Sequence, residues 1–124
     1  MMPYERFRAW QACDELVIGV YRITSSFPSH ERYGLTSQAR RAAVSAATNI
    51  AEGSAKRGAG EFRRYLDIAI GSLSEVSYLL RLSRKLEYLS ETQWQELDVL
   101  RCSASRLTWR LYAAVSNKRS TPTV

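Results

Sequence analysis

The chain has 124 residues, 45% of them apolar, which makes one domain with enough apolar matter for a core and rules out a disordered chain. Eighteen Lys and Arg against 12 Asp and Glu give a formal charge of +6, and 15 of the 18 bases are Arg, whose planar fork suits phosphate and carboxylate. One histidine and two cysteines are too few for a metal centre, and the longest strongly apolar run, residues 16–20, is far too short to span a bilayer.

The first helix is expected over about residues 5–27, with Phe7, Trp10, Cys13, Leu16, Val17, Val20, Tyr21 and Phe27 at steps of three and four. Pro28 ends it, because the residue before a proline is pushed out of the helical region. A second helix is expected from an N-cap at Thr36 to about Arg57. Ala39, Ala42, Ala43, Ala46, Ala47 and Ala51 leave it almost no bulk, so a neighbouring backbone can come close. Residues 58–60, Gly-Ala-Gly, break the pattern. A third helix follows over about residues 61–86, striped by Phe62, Tyr65, Leu66, Ala69, Ile70, Leu73, Val76 and Leu80.

The fourth helix has the clearest start. Ser90 and Gln93 form a capping box, and Leu89 and Trp94 match a hydrophobic staple across it. Its stripe runs through Leu97, Leu100, Ala104, Leu107, Leu111 and Ala114. Residues 116–124 read as a polar, basic, frayed tail. Short loops between long helices make neighbours antiparallel. The expectation is an all-α protein, an antiparallel up-down-up-down four-helix bundle over residues 1–115.

Catalytic patterns are absent from the sequence. His30 sits in a loop with no evident nucleophile. Ser72 and Ser74 follow Gly71 on a helix, without the strand-to-helix elbow of a serine hydrolase. Residues 58–60 lack the Lys-Ser/Thr of a phosphate loop. No repeated Glu-x-x-His pair supports a di-iron bundle. We expect no enzyme, no cofactor and no metal. Cys13 and Cys102 read as buried small hydrophobes in a reducing compartment. Without a signal-peptide pattern at its start, the protein is expected in the cytoplasm, with no membrane partner.

Three groups of residues carry functional alternatives. On the second helix Gln38, Arg41, Ser45, Asn49 and Glu52 make a polar stripe beside the alanines, with Arg40 next to it. It reads either as a phosphate-binding groove through Arg40 and Arg41, or as a hydrogen-bonded network of Arg41, Glu52 and Glu75 that fixes register or a subunit contact. Around the Gly58–Gly60 turn, Lys56, Arg57, Arg63 and Arg64 read either as a phosphate-contact patch or as a solvated turn. On the fourth helix Trp109 lies about 160° from the leucine stripe at 100° per residue. With Tyr112, Arg106 and Arg110 it reads as a subunit interface or as a base-stacking surface.

The stretch from Tyr33 through Leu35-Thr-Ser-Gln-Ala-Arg-Arg-Ala-Ala to Asn49-Ile-Ala-Glu-Gly53 resembles the signature of bacterial four-helix-bundle proteins encoded in intervening sequences of large-subunit rRNA genes. Phe62-Arg-Arg-Tyr-Leu-Asp-Ile-Ala-Ile-Gly-Ser-Leu-Ser-Glu75, Leu86-Glu-Tyr-Leu-Ser90 and the opening around Trp10 fit the same family, so the likeness covers about residues 5–115. Two positions depart from it. Ala46-Ala47 stand where the family usually has Ile-Pro, which predicts a straighter second helix. Gly58 stands where it often has a Ser cap. The resemblance implies the bundle, a homo-oligomer shaped as a ring of five, and a link to nucleic acid. That link comes through the related basic barrel proteins that accompany the reverse transcriptases of diversity-generating retroelements. It implies no enzymatic activity. Five copies would carry +30, and such a ring would repel itself unless its positive face met polyanions. The expected role is an accessory or scaffold that binds structured RNA or DNA. The alternative is a protein-interaction scaffold whose arginines make subunit or partner contacts.

Overall fold

The computed structural model describes the backbone of residues 1–120 and the side chains of residues 1–115. A short 3-10 turn, Pro3–Arg6, leads into four helices: α1 Arg8–Thr24, α2 Leu35–Ser54, α3 Ala59–Lys85 and α4 Glu91–Ser120. A second 3-10 turn, Ser29–Glu31, lies between α1 and α2. Each helix packs on two neighbours in cyclic order, α1 on α2, α2 on α3, α3 on α4 and α4 on α1. This is the expected antiparallel four-helix bundle. No helix among the described residues is long and apolar enough to cross a membrane.

The helix ends differ from the sequence expectation for local reasons. Phe7 is extended (φ −79°, ψ 124°), so α1 begins at Arg8 instead of Glu5, and the Phe7 ring meets Phe62 edge-on at 5.6 Å. At its other end the hydroxyls of Ser25 and Ser26 donate to the carbonyls of Arg22 and Ile23 at 2.6 and 2.9 Å. These bonds occupy the carbonyls that two further residues of helix would have used, and α1 stops at Thr24. Thr36 is no cap. It is buried inside α2, and the Glu31 carboxylate accepts from the Leu35 amide at 3.0 Å instead. α2 runs unbroken through Ala46-Ala47 and closes at Ser54. α3 starts two residues early, capped by Gly58 at φ 87°.

α3 ends in a Schellman turn. The Tyr88 amide reaches the Ser83 carbonyl at 2.9 Å and the Glu87 amide reaches Arg84 at 3.0 Å. Glu87 holds the left-handed position (φ 64°) that glycine normally takes. The capping box of α4 forms as expected: the Gln93 amide donates to Ser90 Oγ at 3.1 Å, and the Ser90 amide donates to Gln93 Oε1 at 3.0 Å. α4 stays helical past the expected boundary at Ser116, to Ser120, and the rest of the expected tail, residues 121–124, lies outside the described residues.

Leu16, Val20, Ile50, Leu66, Leu73, Val76, Leu80, Leu89 and Leu97 fill the core, with the α2 alanines between them. Four positions correct the expected burial, among them Tyr21, which is 44% exposed. Ala114 is exposed, whereas Thr108 is fully buried, its hydroxyl donating to the Ala104 carbonyl at 2.7 Å. Cys13 is a buried free thiol, pushed up to about 11 by burial, but Cys102 is exposed.

Two helical glycines differ in what surrounds them. A Cβ on Gly53 would lie 2.7 Å from Tyr65 Cβ and 3.0 Å from the Phe62 ring, whereas a Cβ on Gly71 would meet nothing within 4 Å. Gly53→Ala is therefore expected to cost about 1–3 kcal/mol through overpacking. Gly71→Ala is expected to gain about 0.5–1 kcal/mol from helix propensity alone. Urea unfolding of the two variants checks the opposite signs.

Candidate nucleic-acid interface

Up-down-up-down topology brings three chain segments to one end of the bundle: the entry to α1, the α2–α3 turn and the last turns of α4. The contacts are direct. Phe7 and Phe62 touch, and a cleft of about 480 Å³ is lined jointly by Phe7, Lys56, Ala59, Phe62, Leu111 and Ala114. A second depression joins Arg6, Arg8 and Arg110 across Phe7 and Leu111. Residues 5–10, 52–65 and 106–115 together carry eight basic and three acidic side chains. This end is net +5; the other end, residues 22–41 and 81–91, carries seven basic and three acidic side chains, net +4, and the remaining acids lie along the middle. Both ends are positive, but at this pole none of the eight bases is ion-paired among the described residues, whereas at the other Arg84 pairs with Glu91.

The sequence groups fare differently there. Lys56, Arg57, Arg63 and Arg64 all lie at this pole. Lys56, Arg57 and Arg64 are exposed and Arg63 is half-buried. The Lys56 ammonium lies 5.5 Å over the Tyr65 ring. Arg110 is exposed on α4 at the same end, and Arg106, also exposed, lies one turn further in along the helix. Arg6 and Arg8 were missed. Antiparallel connectivity was the signal for them, since it returns the start of α1 to the α2–α3 turn.

Arg40 points elsewhere. Its guanidinium lies 4.6 Å over the Tyr21 ring, and its Nε donates to Thr24 Oγ1 at 2.9 Å. One Nη donates to the Tyr21 carbonyl at 3.3 Å. Arg40 ties α2 to the end of α1, and these bonds occupy two of its five N–H donors. Arg41, Gln38, Glu52 and Glu75 are exposed. The expected Arg41–Glu52–Glu75 network does not form within the chain. Among the described residues the ion pairs are Arg84–Glu91 and Arg101–Asp98. The polar stripe of α2 is closed by smaller groups. The Ser45 and Ser72 hydroxyls bond across to α3 at 2.9 Å, and the Asn49 amide donates to the Ser45 carbonyl at 2.8 Å.

Trp109 is 54% exposed and meets Tyr112, half-buried against the core, edge-on at 5.6 Å, so the indole faces outward in the stretch that carries Arg106 and Arg110. A third depression, between α1 and α2, is lined by Tyr4, Trp10, Val17 and Val44 among others, and carries Asp14 but no cation.

At the opposite end one contact is titratable. Tyr88 OH donates to Glu31 Oε2 at 3.0 Å, while Glu31 Oε1 caps α2. His30 Nε2 lies 3.3 Å from the same hydroxyl. The Leu35 amide, and then Tyr88, hold the Glu31 carboxyl below its usual 4.5, and the same bond raises Tyr88. A depressed carboxylate stabilises the fold above its unfolded pKa and loses that contribution as pH falls through its folded value. The urea midpoint is expected to fall below about pH 4.5, and less steeply in Glu31→Gln. Unfolding across pH 2–6 checks it.

Comparison with known proteins agrees with this fold. A family model described as 23S rRNA-intervening sequence protein matches residues 5–108. A crystal structure of a protein of unknown function from the S23 ribosomal protein family of Bacteroides thetaiotaomicron is similar, with a TM-score of 0.75 and 19% identity. The alignment covers 84% of this chain and 97% of that one, and at this identity it speaks for the fold alone. No curated protein matches the chain.

Proposed function

Because the chain belongs to the 23S rRNA-intervening sequence protein family, we propose that it is a non-enzymatic nucleic-acid-binding bundle whose positive pole contacts the phosphate backbone of RNA or DNA. The observation that carries this reading is a cluster of cations without ion pairs: eight bases from three separate segments lie toward one end, and none of them is in an ion pair among the described residues. Arg63 and Arg64 lie beyond the Gly58 turn and Lys56 and Arg57 before it, so four cations flank the start of α3. Phosphate contacts of this kind supply affinity without sequence preference and release counterions. Binding of labelled RNA and duplex DNA to the purified protein across a salt series tests it. Affinity falling linearly with log salt supports the reading, and no binding at 50 mM salt overturns it.

Self-association belongs to the same proposal, with a ring of five copies favoured. A specific observation, the exposed Trp109 resting on Tyr112, favours α4 as the subunit contact, since Trp, Tyr and Arg anchor such surfaces. The competing reading is a protein-interaction scaffold in which the arginines hold the assembly. It requires Arg41→Ala or Arg106→Ala to change the solution mass. Mass unchanged in both, with nucleic-acid binding retained in the parent, favours the nucleic-acid reading.

A further inference from the structure

The cleft at the positive pole adds something that phosphate contacts do not require. Its walls are apolar and partly aromatic: Phe7, Phe62, Ala59, Leu111 and Ala114, with Lys56 at the rim. Its volume, about 480 Å³, falls in the roughly 300–1,000 Å³ range of small-ligand sites. Arg6 and Arg110 flank it through the adjoining depression, and Arg57 and Arg63 adjoin Gly58 and Phe62 in the chain. A flat duplex contact would meet the cations alone and leave this apolar hollow unfilled. The depression between α1 and α2 is also apolar but has no cation, so it offers a polyanion nothing.

We infer that the cleft takes an unpaired nucleobase, so that the pole prefers nucleic acid with single-stranded nucleotides over a perfect duplex. A base has the planar apolar faces that Phe7, Phe62 and Leu111 accept, and its flanking phosphates reach the surrounding arginines. Every base has such a face, so the preference is for unpaired structure and not for sequence. The inference rests on the proposed nucleic-acid function and names its substrate class.

The test compares three probes at one salt concentration: a single-stranded 12-nucleotide RNA, the same strand with its central nucleotides abasic, and its duplex. The single strand is expected to bind roughly tenfold tighter than the abasic strand. Ala114→Phe places a ring in the cleft from an exposed helical position and is expected to bring the single strand down to the abasic level. Its binding of duplex and its helical circular dichroism should stay unchanged. A 2-aminopurine at the centre of the strand should lose fluorescence on binding the parent but not the variant. Equal binding of intact and abasic strands overturns the inference and leaves the phosphate reading standing. No binding of any probe overturns both. An Ala114→Phe protein whose solution mass changes while its base dependence persists makes the cleft a contact between copies, and also overturns the inference.

Discussion

Replacing Arg57, Arg63 and Arg64 together by alanine is expected to weaken nucleic-acid binding on the order of 100-fold near physiological salt, and to flatten its salt dependence. Three lost phosphate contacts should reduce the slope of log affinity against log salt by about 2 for single strands and about 2.7 for duplex. The bundle should survive. Arg57 and Arg64 are exposed, Arg63 is half-buried, and none of the three forms an ion pair among the described residues. Titrations at four or five salt concentrations, with solution mass and circular dichroism measured on the same samples, check it. Affinity lost with an unchanged slope would mean that the arginines act through the fold and not on phosphate. The contrasting variant is Arg40→Ala. Arg40 is engaged with Tyr21 and Thr24, so its loss should lower stability modestly and leave binding intact.

Leu73→Ala is expected to be the most damaging simple change to the core, near the upper part of the about 2–5 kcal/mol range for such truncations. Leu73 is fully buried on α3, the helix that packs on both α2 and α4. The Ser45–Ser72 bond and the approach of Gly53 to Tyr65 set the register between α2 and α3, and put Leu73 level with Ala43 and Ala46. Alanines have no rotamer to swing into a vacated space, so the cavity cannot relax from that side. Against a typical total stability of about 5–15 kcal/mol, such a loss brings the protein close to unfolding at 37 °C. Urea unfolding measures it. A cost under about 1 kcal/mol would mean that the α2–α3 seam collapses freely and is not close-packed.

The bundle was legible because three physical signals agreed: apolar steps of three and four, short Gly- or Pro-marked loops, and a capping box at Ser90. Helix ends were less legible, because side chains decided them. The cap of α2 comes from Glu31, four residues before Leu35, and the Schellman turn after α3 carries Glu87 where the sequence signal would be glycine. Thr108 was invisible as a core residue because its hydroxyl is satisfied by its own helix. In the candidate interface, Lys56, Arg57, Arg63 and Arg64 were readable as a local run. Arg6 and Arg8 required the topology. Arg40 was misplaced because helical spacing gives the face of a side chain but not the neighbour that engages it. The apolar cleft beside the cations could not be read from one strand of sequence, since its walls come from three segments.

The most direct test of the positive pole is photo-crosslinking of bound single-stranded RNA to the full chain, with the crosslinked peptides identified by mass spectrometry. Crosslinks gathered in residues 5–10, 52–65 and 106–115 are the expected result. Crosslinks centred instead on the opposite end, around Arg22, Arg32, Arg81 and Arg84, would contradict it.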